Sequence, residues 1–202
     1  MPKKFEKEFI SYCENQNLEV NPYQIKVIKK LEDYHNSNYK SFFSKLFSKQ
    51  KTKKGFYLYG GVGVGKTMIL NFFYDHLEEK KLKKHFNEFM LGFHDFVHEQ
   101  KEKNEENVIN QFVKNLKSKA SLVYFDEFQV TNIVDAMILG KLFEQIFKED
   151  IKIILTSNTK ISELYKDGLQ REQFIPFIKI MEDQSIEYEL KIEDDYRKSN
   201  DN

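Results

Sequence analysis

The sequence has little cysteine, no tryptophan and no long apolar run. Cys13 is the single cysteine in 202 residues, so an intrachain disulfide is excluded and a reducing compartment is expected. No stretch of about eighteen apolar residues is present, which argues against a transmembrane segment. The N-terminus mixes lysines with glutamates and has no apolar segment typical of a secretory signal. These absences predict a cytoplasmic protein.

The chain also has a formal net charge of zero, with 32 basic and 32 acidic side chains. This balance argues against a nucleic-acid footprint that covers the whole surface. Hydrophobic residues make up 40% of the chain, with 19 Phe and 11 Tyr as the bulkiest contributors. A chain of this length and composition can bury one sizeable α/β core but not two. We therefore expect one compact domain.

Glycine is scarce as well, yet four of the eight glycines fall within residues 60–67. The segment matches the G-x-x-x-x-G-K-T pattern of a P-loop and consists of Gly60, Gly61, Val62, Gly63, Val64, Gly65, Lys66 and Thr67. Its glycines allow consecutive backbone N–H groups to turn toward a phosphate at a helix N-terminus. We expect Lys66 to reach the β- and γ-phosphates of ATP and the Thr67 hydroxyl to bind Mg²⁺.

The flanking residues supply the context that a P-loop requires. Residues 55–59 are apolar and predict a short buried strand before the loop. After the loop, apolar residues recur at helical spacing, beginning with Met68 and Ile69. A strand, a glycine-rich loop and a helix in this order predict a nucleotide site, to which we also assign Met68. A glycine-rich turn that binds no ligand is the alternative.

Two adjacent acids, Asp126 and Glu127, end a second apolar run. Because side chains alternate faces along a buried strand, the two acids can lie at the same sheet edge and take different roles. We expect Asp126 to hold Mg²⁺ through water or the Thr67 hydroxyl, and Glu127 to polarise the attacking water. A base beside the water favours hydrolysis over transfer to another substrate. The alternative is a solvated acidic pair at a strand end.

A third apolar run, residues 152–157, leads directly to Asn158. Some P-loop hydrolases have an additional strand between the P-loop strand and the acidic strand, and a polar residue at its end senses the γ-phosphate. We expect Asn158 to take this role and to orient the water. A turn or a helix N-cap at this position is the alternative.

Arginine is rare, because only Arg171 and Arg197 occur among the 32 basic residues. In such a chain we expect an arginine where a planar guanidinium group must make two hydrogen bonds to one partner, which the ammonium group of lysine cannot do with the same geometry. Arg171 follows the Asn158 strand, which suits an arginine finger supplied to the γ-phosphate of a neighbouring subunit. A structural salt bridge is the alternative. Arg197, near an acidic terminus, has no assigned role.

The N-terminal region supplies further predictions. Asn21 is expected to cap a helix that begins at Pro22. Gln24, near the start of this helix, is either a surface glutamine, which is the commoner case, or a residue that approaches the adenine as in ATPases that this chain resembles. Residues 40–54 contain six lysines and no acid, with three phenylalanines between them. Such a stretch is either an amphipathic helix with solvated lysines, which we favour, or a surface that grips single-stranded nucleic acid.

Together, these motifs resemble the ZapE-type AAA+ ATPases, a family of bacterial Z-ring-associated cell-division ATPases and their mitochondrial relatives. The resemblance covers nearly the whole chain, and its most specific parts are Asp-Ala-Met from Asp135 and Gly-Leu-Gln-Arg ending at Arg171. It implies an AAA+ core, ATP hydrolysis with Mg²⁺, nucleotide-dependent self-association and, in bacteria, binding to the division protein FtsZ; another protein partner is the alternative. The segments that carry it are residues 57–68, 85–90, 125–128, 135–139, 156–158 and 164–171.

The predicted fold is α/β, a P-loop three-layer sandwich with a parallel five-stranded sheet. We expect strands near residues 55, 85, 122, 152 and 185, the second of them at residues 85–90. Residues 1–54 are expected to form a helical arm and a basic linker, and residues 55–202 the AAA+ core.

The chain departs from the family pattern in three places. Asn132 stands where an aspartate is expected, and Thr159-Lys160 replaces a proline-containing stretch. The chain ends at Asn202, before the small helical lid with a second sensor arginine that the resemblance implies. Either the sequence is a fragment of a longer protein or the protein lacks this lid, and we expect the residues present to form an AAA+ core without it.

Two alternative functions stay open. One is a helicase-loader-like AAA+ protein that uses residues 40–54 to act with single-stranded nucleic acid. The other is an interaction module that senses ATP without hydrolysing it.

Overall fold

The computed structural model describes residues 4–39, 52–100 and 104–191. Within these ranges the chain forms seven α-helices and five β-strands. The helices are α1 (Lys4–Asn15), α2 (Pro22–Tyr39), α3 (Lys66–Asp75), α4 (Phe86–Glu99), α5 (Glu105–Lys119), α6 (Ile133–Lys148) and α7 (Ile175–Gln184). The strands are β1 (Gly55–Tyr59), β2 (Lys81–His85), β3 (Leu122–Asp126), β4 (Lys152–Ser157) and β5 (Ser185–Glu189).

The five strands form one parallel sheet in the order β2-β3-β4-β1-β5. β4 therefore lies between β1 and β3, as predicted for the strand that ends before Asn158. In a parallel sheet the carboxyl ends of all strands lie at one edge, and ligands bind outside that edge. The P-loop after β1, the acids of β3 and Asn158 after β4 are thus brought to the same side of the sheet.

Helices cover both faces of the sheet. Successive side chains of a strand point to opposite faces, so apolar side chains lie on both faces and pack against helices there. Phe56 and Leu58 pack against α1, α2 and α3, whereas Tyr57 packs against α4, α6 and α7. These aromatic and aliphatic side chains are fully buried, and each contributes about 1.5–3 kcal/mol through the apolar surface removed from water. The result is a three-layer α/β sandwich with one core on each face, which confirms the predicted fold class.

The second strand was predicted at the wrong residues. Residues 85–90 were expected to be a strand, but β2 occupies Lys81–His85 and α4 begins at Phe86. Phe86, Phe89 and Met90 recur at the three- and four-residue spacing of a helix, and all three are buried against β3 and α6. β2 lies at the sheet edge, where a lysine-rich strand keeps its charges in solvent and resists pairing with another chain.

The N-terminal helices pack onto the sheet. α2 begins at Pro22 as predicted, and Asn21 Oδ1 accepts a hydrogen bond of 2.9 Å from the Tyr23 N–H. Phe9 and Cys13 of α1 are fully buried in the same core as α3. The division between an arm and a core at residue 54 stays a prediction, and residues 40–51 of the lysine-rich stretch lie outside the described residues. Across the described ranges, no helix has both the length and the apolar character needed to cross a membrane.

Candidate functional site

The P-loop connects the end of β1 to the first residue of α3. Gly63 and Gly65 have φ angles of 81° and 92°, in the left-handed region that only glycine adopts without cost. Gly65 is the N-cap of α3 and provides no side-chain oxygen for the first turn. The N–H groups at this helix start are therefore available to an anion, and the helix dipole attracts negative charge there.

The outer side of the loop is open to solvent. Val62 is 87% exposed, and a Cβ built on Gly63 would meet no atom within 4 Å. The inner side is packed, because Gln24 Nε2 donates to Val64 O at 3.1 Å and a Cβ on Gly65 would lie 2.6 Å from that nitrogen. Gln24 is buried and thus lies directly against the P-loop, on the side that α2 covers.

Lys66 connects the P-loop to the end of β4. Its Nζ donates to Gly60 O at 2.9 Å, to Gly61 O at 2.7 Å and to Asn158 Oδ1 at 2.9 Å. The side chain is buried, and this burial lowers the pKa of Lys66 although the nearby Asp126 carboxylate opposes the shift. The predicted phosphate-binding lysine and the predicted sensor are therefore in direct contact.

Of the two predicted acids, Asp126 lies beside the first turn of α3. The Thr67 hydroxyl donates to Asp126 Oδ1 at 3.1 Å, and Asp126 is buried whereas the Glu127 side chain is exposed. Glu127 has a φ angle of 55°, a left-handed conformation that is uncommon for a residue other than glycine. Hydroxyl and carboxylate oxygens are the ligands that Mg²⁺ prefers, so the Thr67 and Asp126 pair fits this ion.

Arg171 begins a short 3₁₀ turn, Arg171–Gln173, after β4. Its Nη2 donates to Ser162 O at 2.8 Å, and its Nε is buried without a hydrogen-bond partner among the described residues. That Arg171 is an arginine finger rather than a structural residue stays a prediction, because its hydrogen bond among the described residues is to a backbone carbonyl. Arg197 lies outside the described residues.

Comparison with known proteins then decides the family. Residues 13–201 match the family model of the AFG1-like ATPases. The chain belongs to the AFG1-like ATPase family. The resemblance to ZapE-type ATPases that the motifs indicated is thereby confirmed, and the fold is that of an AAA+ core.

Two relatives show how much of a longer protein this AFG1-like chain matches. It is 39% identical over 161 residues to lactation elevated protein 1 homolog B of Danio rerio, and 37% identical over 132 residues to cell division protein ZapE of Escherichia coli strain K12. These matches cover 75% and 65% of the chain but only 32% and 35% of the two relatives. The chain thus spans about a third of their length.

A solved structure agrees at the level of the fold. AMPPCP-bound DnaA from Aquifex aeolicus superposes with a TM-score of 0.57 at 16% identity, over 90% of this AFG1-like chain and 51% of that one. At this identity the match establishes a common AAA+ architecture. The roles proposed for the site residues therefore rest on the geometry of this chain and not on that match.

Asn132, the first departure from the family pattern, has a structural role in this AFG1-like chain. As the N-cap of α6, its Oδ1 accepts from the Asp135 N–H at 2.8 Å, and its Nδ2 donates to Asp135 Oδ2 at 2.6 Å. An aspartate could cap the helix equally well but would place a second carboxylate against Asp135. The amide supplies a donor to one oxygen of the buried Asp135, whose other oxygen lies 2.7 Å from His94 Nε2.

Thr156 of β4 is a site residue that the sequence reasoning missed. Its hydroxyl, in a residue only 2% exposed, contacts both Asp126 and the Glu127 backbone. The sequence held a usable signal, because polar residues at the ends of neighbouring parallel strands meet at one edge. Phe125 pairs with Leu155 in the sheet, which places Thr156 beside Asp126.

Proposed function

We propose that this AFG1-like chain binds ATP over residues 60–67 and hydrolyses it with Asp126, Glu127 and Asn158. The observation that carries the proposal is the convergence of three separate segments. Lys66 contacts Asn158 while Thr67, the next residue, contacts Asp126. The first two residues of α3 therefore connect the P-loop to the end of β4 through Asn158 and to β3 through Asp126.

Each P-loop residue has a part in ATP binding under this proposal. The backbone N–H groups of residues 60–67 bind the phosphates, and Lys66 adds its charge to the β- and γ-phosphates. Met68 continues the helix behind the phosphates. Gln24, packed against Val64, lies where the adenine end of the nucleotide would approach the loop.

Thr67 and Asp126 would hold Mg²⁺. The ion would neutralise charge on the β- and γ-phosphate oxygens and so favour the transition state. The support for this part is the oxygen donor set, with the Thr67 hydroxyl 3.1 Å from an oxygen of a buried carboxylate.

Hydrolysis would proceed by in-line attack of water on the γ-phosphorus. Glu127 accepts a proton from the water as its oxygen bonds to phosphorus, and the bond to the bridging oxygen breaks to release ADP and phosphate. Asn158 orients the water, and Arg171 from an adjacent subunit stabilises the charge that develops. The proposal therefore includes nucleotide-dependent self-association, because Arg171 then acts on a neighbouring γ-phosphate.

We further propose that ATP turnover acts on a protein partner in the cytoplasm. One relative is named as the cell division protein ZapE. FtsZ, implied by the motif resemblance, is therefore the first partner to test. The lysine-rich residues 40–54, which a nucleic-acid partner would require, are described only from residue 52.

The test is phosphate release measured against protein concentration, alone, with FtsZ polymers, and with single-stranded DNA. Turnover per chain that rises with protein concentration and with FtsZ supports the proposal. Stimulation by single-stranded DNA that falls steeply with salt, without an effect of FtsZ, would instead favour the helicase-loader-like alternative. Saturable ATP binding without phosphate release at any concentration would favour the ATP-sensing module.

A further inference from the structure

The Thr156 hydroxyl forms hydrogen bonds with both adjacent acidic residues, with the carboxylate of Asp126 and with the backbone of Glu127. It donates to Asp126 Oδ1 at 2.6 Å and accepts from the Glu127 N–H at 3.0 Å. The Thr156 carbonyl also accepts from the Phe128 N–H at 2.8 Å. Three consecutive residues, the last of β3 and the two that follow it, thus form hydrogen bonds with one residue of β4, and two of these bonds use the hydroxyl.

The Thr156 hydroxyl stabilises two local features of the chain: the left-handed backbone of Glu127 and the buried carboxylate of Asp126. Glu127 has a left-handed backbone at a φ angle of 55°, and a residue other than glycine needs surrounding contacts to persist there. Asp126 is buried and needs hydrogen-bond donors, of which Thr67 supplies one and Thr156 the shorter one. One hydroxyl therefore fixes the carboxylate of Asp126 and the backbone of Glu127.

We propose that the Thr156 hydroxyl is a positioning group, which aims the Glu127 carboxylate at the attacking water and holds Asp126 beside Thr67. This inference rests on the proposed ATP hydrolysis. Thr156 does not touch the nucleotide in this assignment, and it acts through the two acids. Its loss should therefore lower the rate of the chemical step while the P-loop, which does not contact Thr156, still binds ATP.

Two variants at one position separate the hydroxyl from the methyl group. Thr156→Val keeps the shape and removes the hydroxyl, whereas Thr156→Ser keeps the hydroxyl and removes the methyl group. Ser185→Ala is the matched control, because Ser185 is also buried but lies at the start of β5, at the sheet edge opposite to the proposed site.

The kinetic readout compares kcat and KM for ATP in the four proteins. We expect Thr156→Val to lower kcat about tenfold, the effect of about one lost hydrogen bond, with KM close to that of the wild type. Thr156→Ser and Ser185→Ala should retain kcat. An unchanged kcat in Thr156→Val would overturn the proposal, as would an equal loss in Thr156→Val and Thr156→Ser, which would assign the effect to packing.

A second readout does not depend on turnover. In nitrogen-15 NMR of the nucleotide-free protein, the Glu127 amide should exchange with solvent about tenfold faster in Thr156→Val than in wild type or Thr156→Ser. The Phe128 amide, which bonds to the Thr156 backbone, is the internal control and should be unchanged. Unaltered exchange at Glu127 in Thr156→Val overturns the proposal. If the wild type releases no phosphate, the proposed hydrolysis fails, and the exchange measurement alone then decides the role of Thr156.

Discussion

The Lys66 ammonium donates a hydrogen bond of 2.9 Å to Asn158 Oδ1, although 92 positions separate the two residues. The bond joins the start of α3 to the end of the central strand β4. A phosphate that attracts Lys66 would therefore also act on Asn158, since the two side chains are in contact. The proposed phosphate site and the proposed sensor form one unit in this chain.

Lys66→Ala should strongly weaken ATP binding. Each hydrogen bond from a charged donor contributes about 1.5–3 kcal/mol, so the expected loss of affinity is about a hundredfold. A titration with a fluorescent ATP analogue measures it. Lys81→Ala is the matched control, because Lys81 Nζ also donates to backbone carbonyls, those of Tyr74 and Leu77, at a distance from the P-loop. Tight retention of ATP by Lys66→Ala would contradict the assignment.

Glu127→Gln should trap bound ATP. The amide cannot accept the proton of the attacking water, so we expect single-turnover hydrolysis to slow by about 10²–10⁴-fold while ATP affinity is kept. Rapid-quench measurement of ADP formed on the protein tests this expectation. Glu144→Gln, a solvent-exposed change on α6, should behave as the wild type. Undiminished turnover in Glu127→Gln would remove Glu127 as the base.

Arg171→Lys should lower hydrolysis only in the assembled protein. Lysine keeps the charge but loses the planar fork that contacts phosphate oxygens, so loss of an arginine finger should cost up to about 10³-fold in rate. ATPase assays across protein concentration, with assembly followed by light scattering, measure the effect. An equal loss in isolated monomers would make Arg171 a structural residue that acts through Ser162.

Gly60→Ala should destabilise the fold. A Cβ at Gly60 would lie 2.3 Å from Leu190 O, where the chain leaves β5 beside the P-loop strand. Overpacking of this kind costs about 1–3 kcal/mol, which corresponds to about 2–12 °C in Tm for a domain of this size. Thermal unfolding by circular dichroism measures it. Gly61→Ala is the control, because the nearest atom to its Cβ is Val64 Cγ1 at 3.9 Å, and an equal loss there would contradict the steric argument.

The place of β4 between β1 and β3, and the meeting of Lys66 with Asn158 and of Thr67 with Asp126, could be predicted because the motifs fix them locally. The P-loop, Asp126, Glu127 and Asn158 each follow an apolar run, and parallel pairing brings the ends of those runs together. The second strand was misplaced because an edge strand need not be apolar. The phenylalanine-rich residues after it were read as a strand, although their spacing suits a helix.

Other features depend on contacts between distant residues and could not be read from a single sequence. A polar residue near the end of β4 suggests that Thr156 lies at the same sheet edge as the acids, but its contact with Asp126 and Glu127 follows only from the register of β3 against β4. The packing of Gln24 on Val64 likewise requires the position of α2 over the P-loop. The role of Arg171 involves a neighbouring subunit and stays a prediction.

A structure of the protein with Mg²⁺ and a slowly hydrolysed ATP analogue tests the central claim most directly. The account predicts that the triphosphate lies over residues 60–67, with Lys66 on the γ-phosphate and Mg²⁺ between Thr67 and Asp126. An analogue bound elsewhere at saturating concentration, or no analogue at the P-loop, would contradict it.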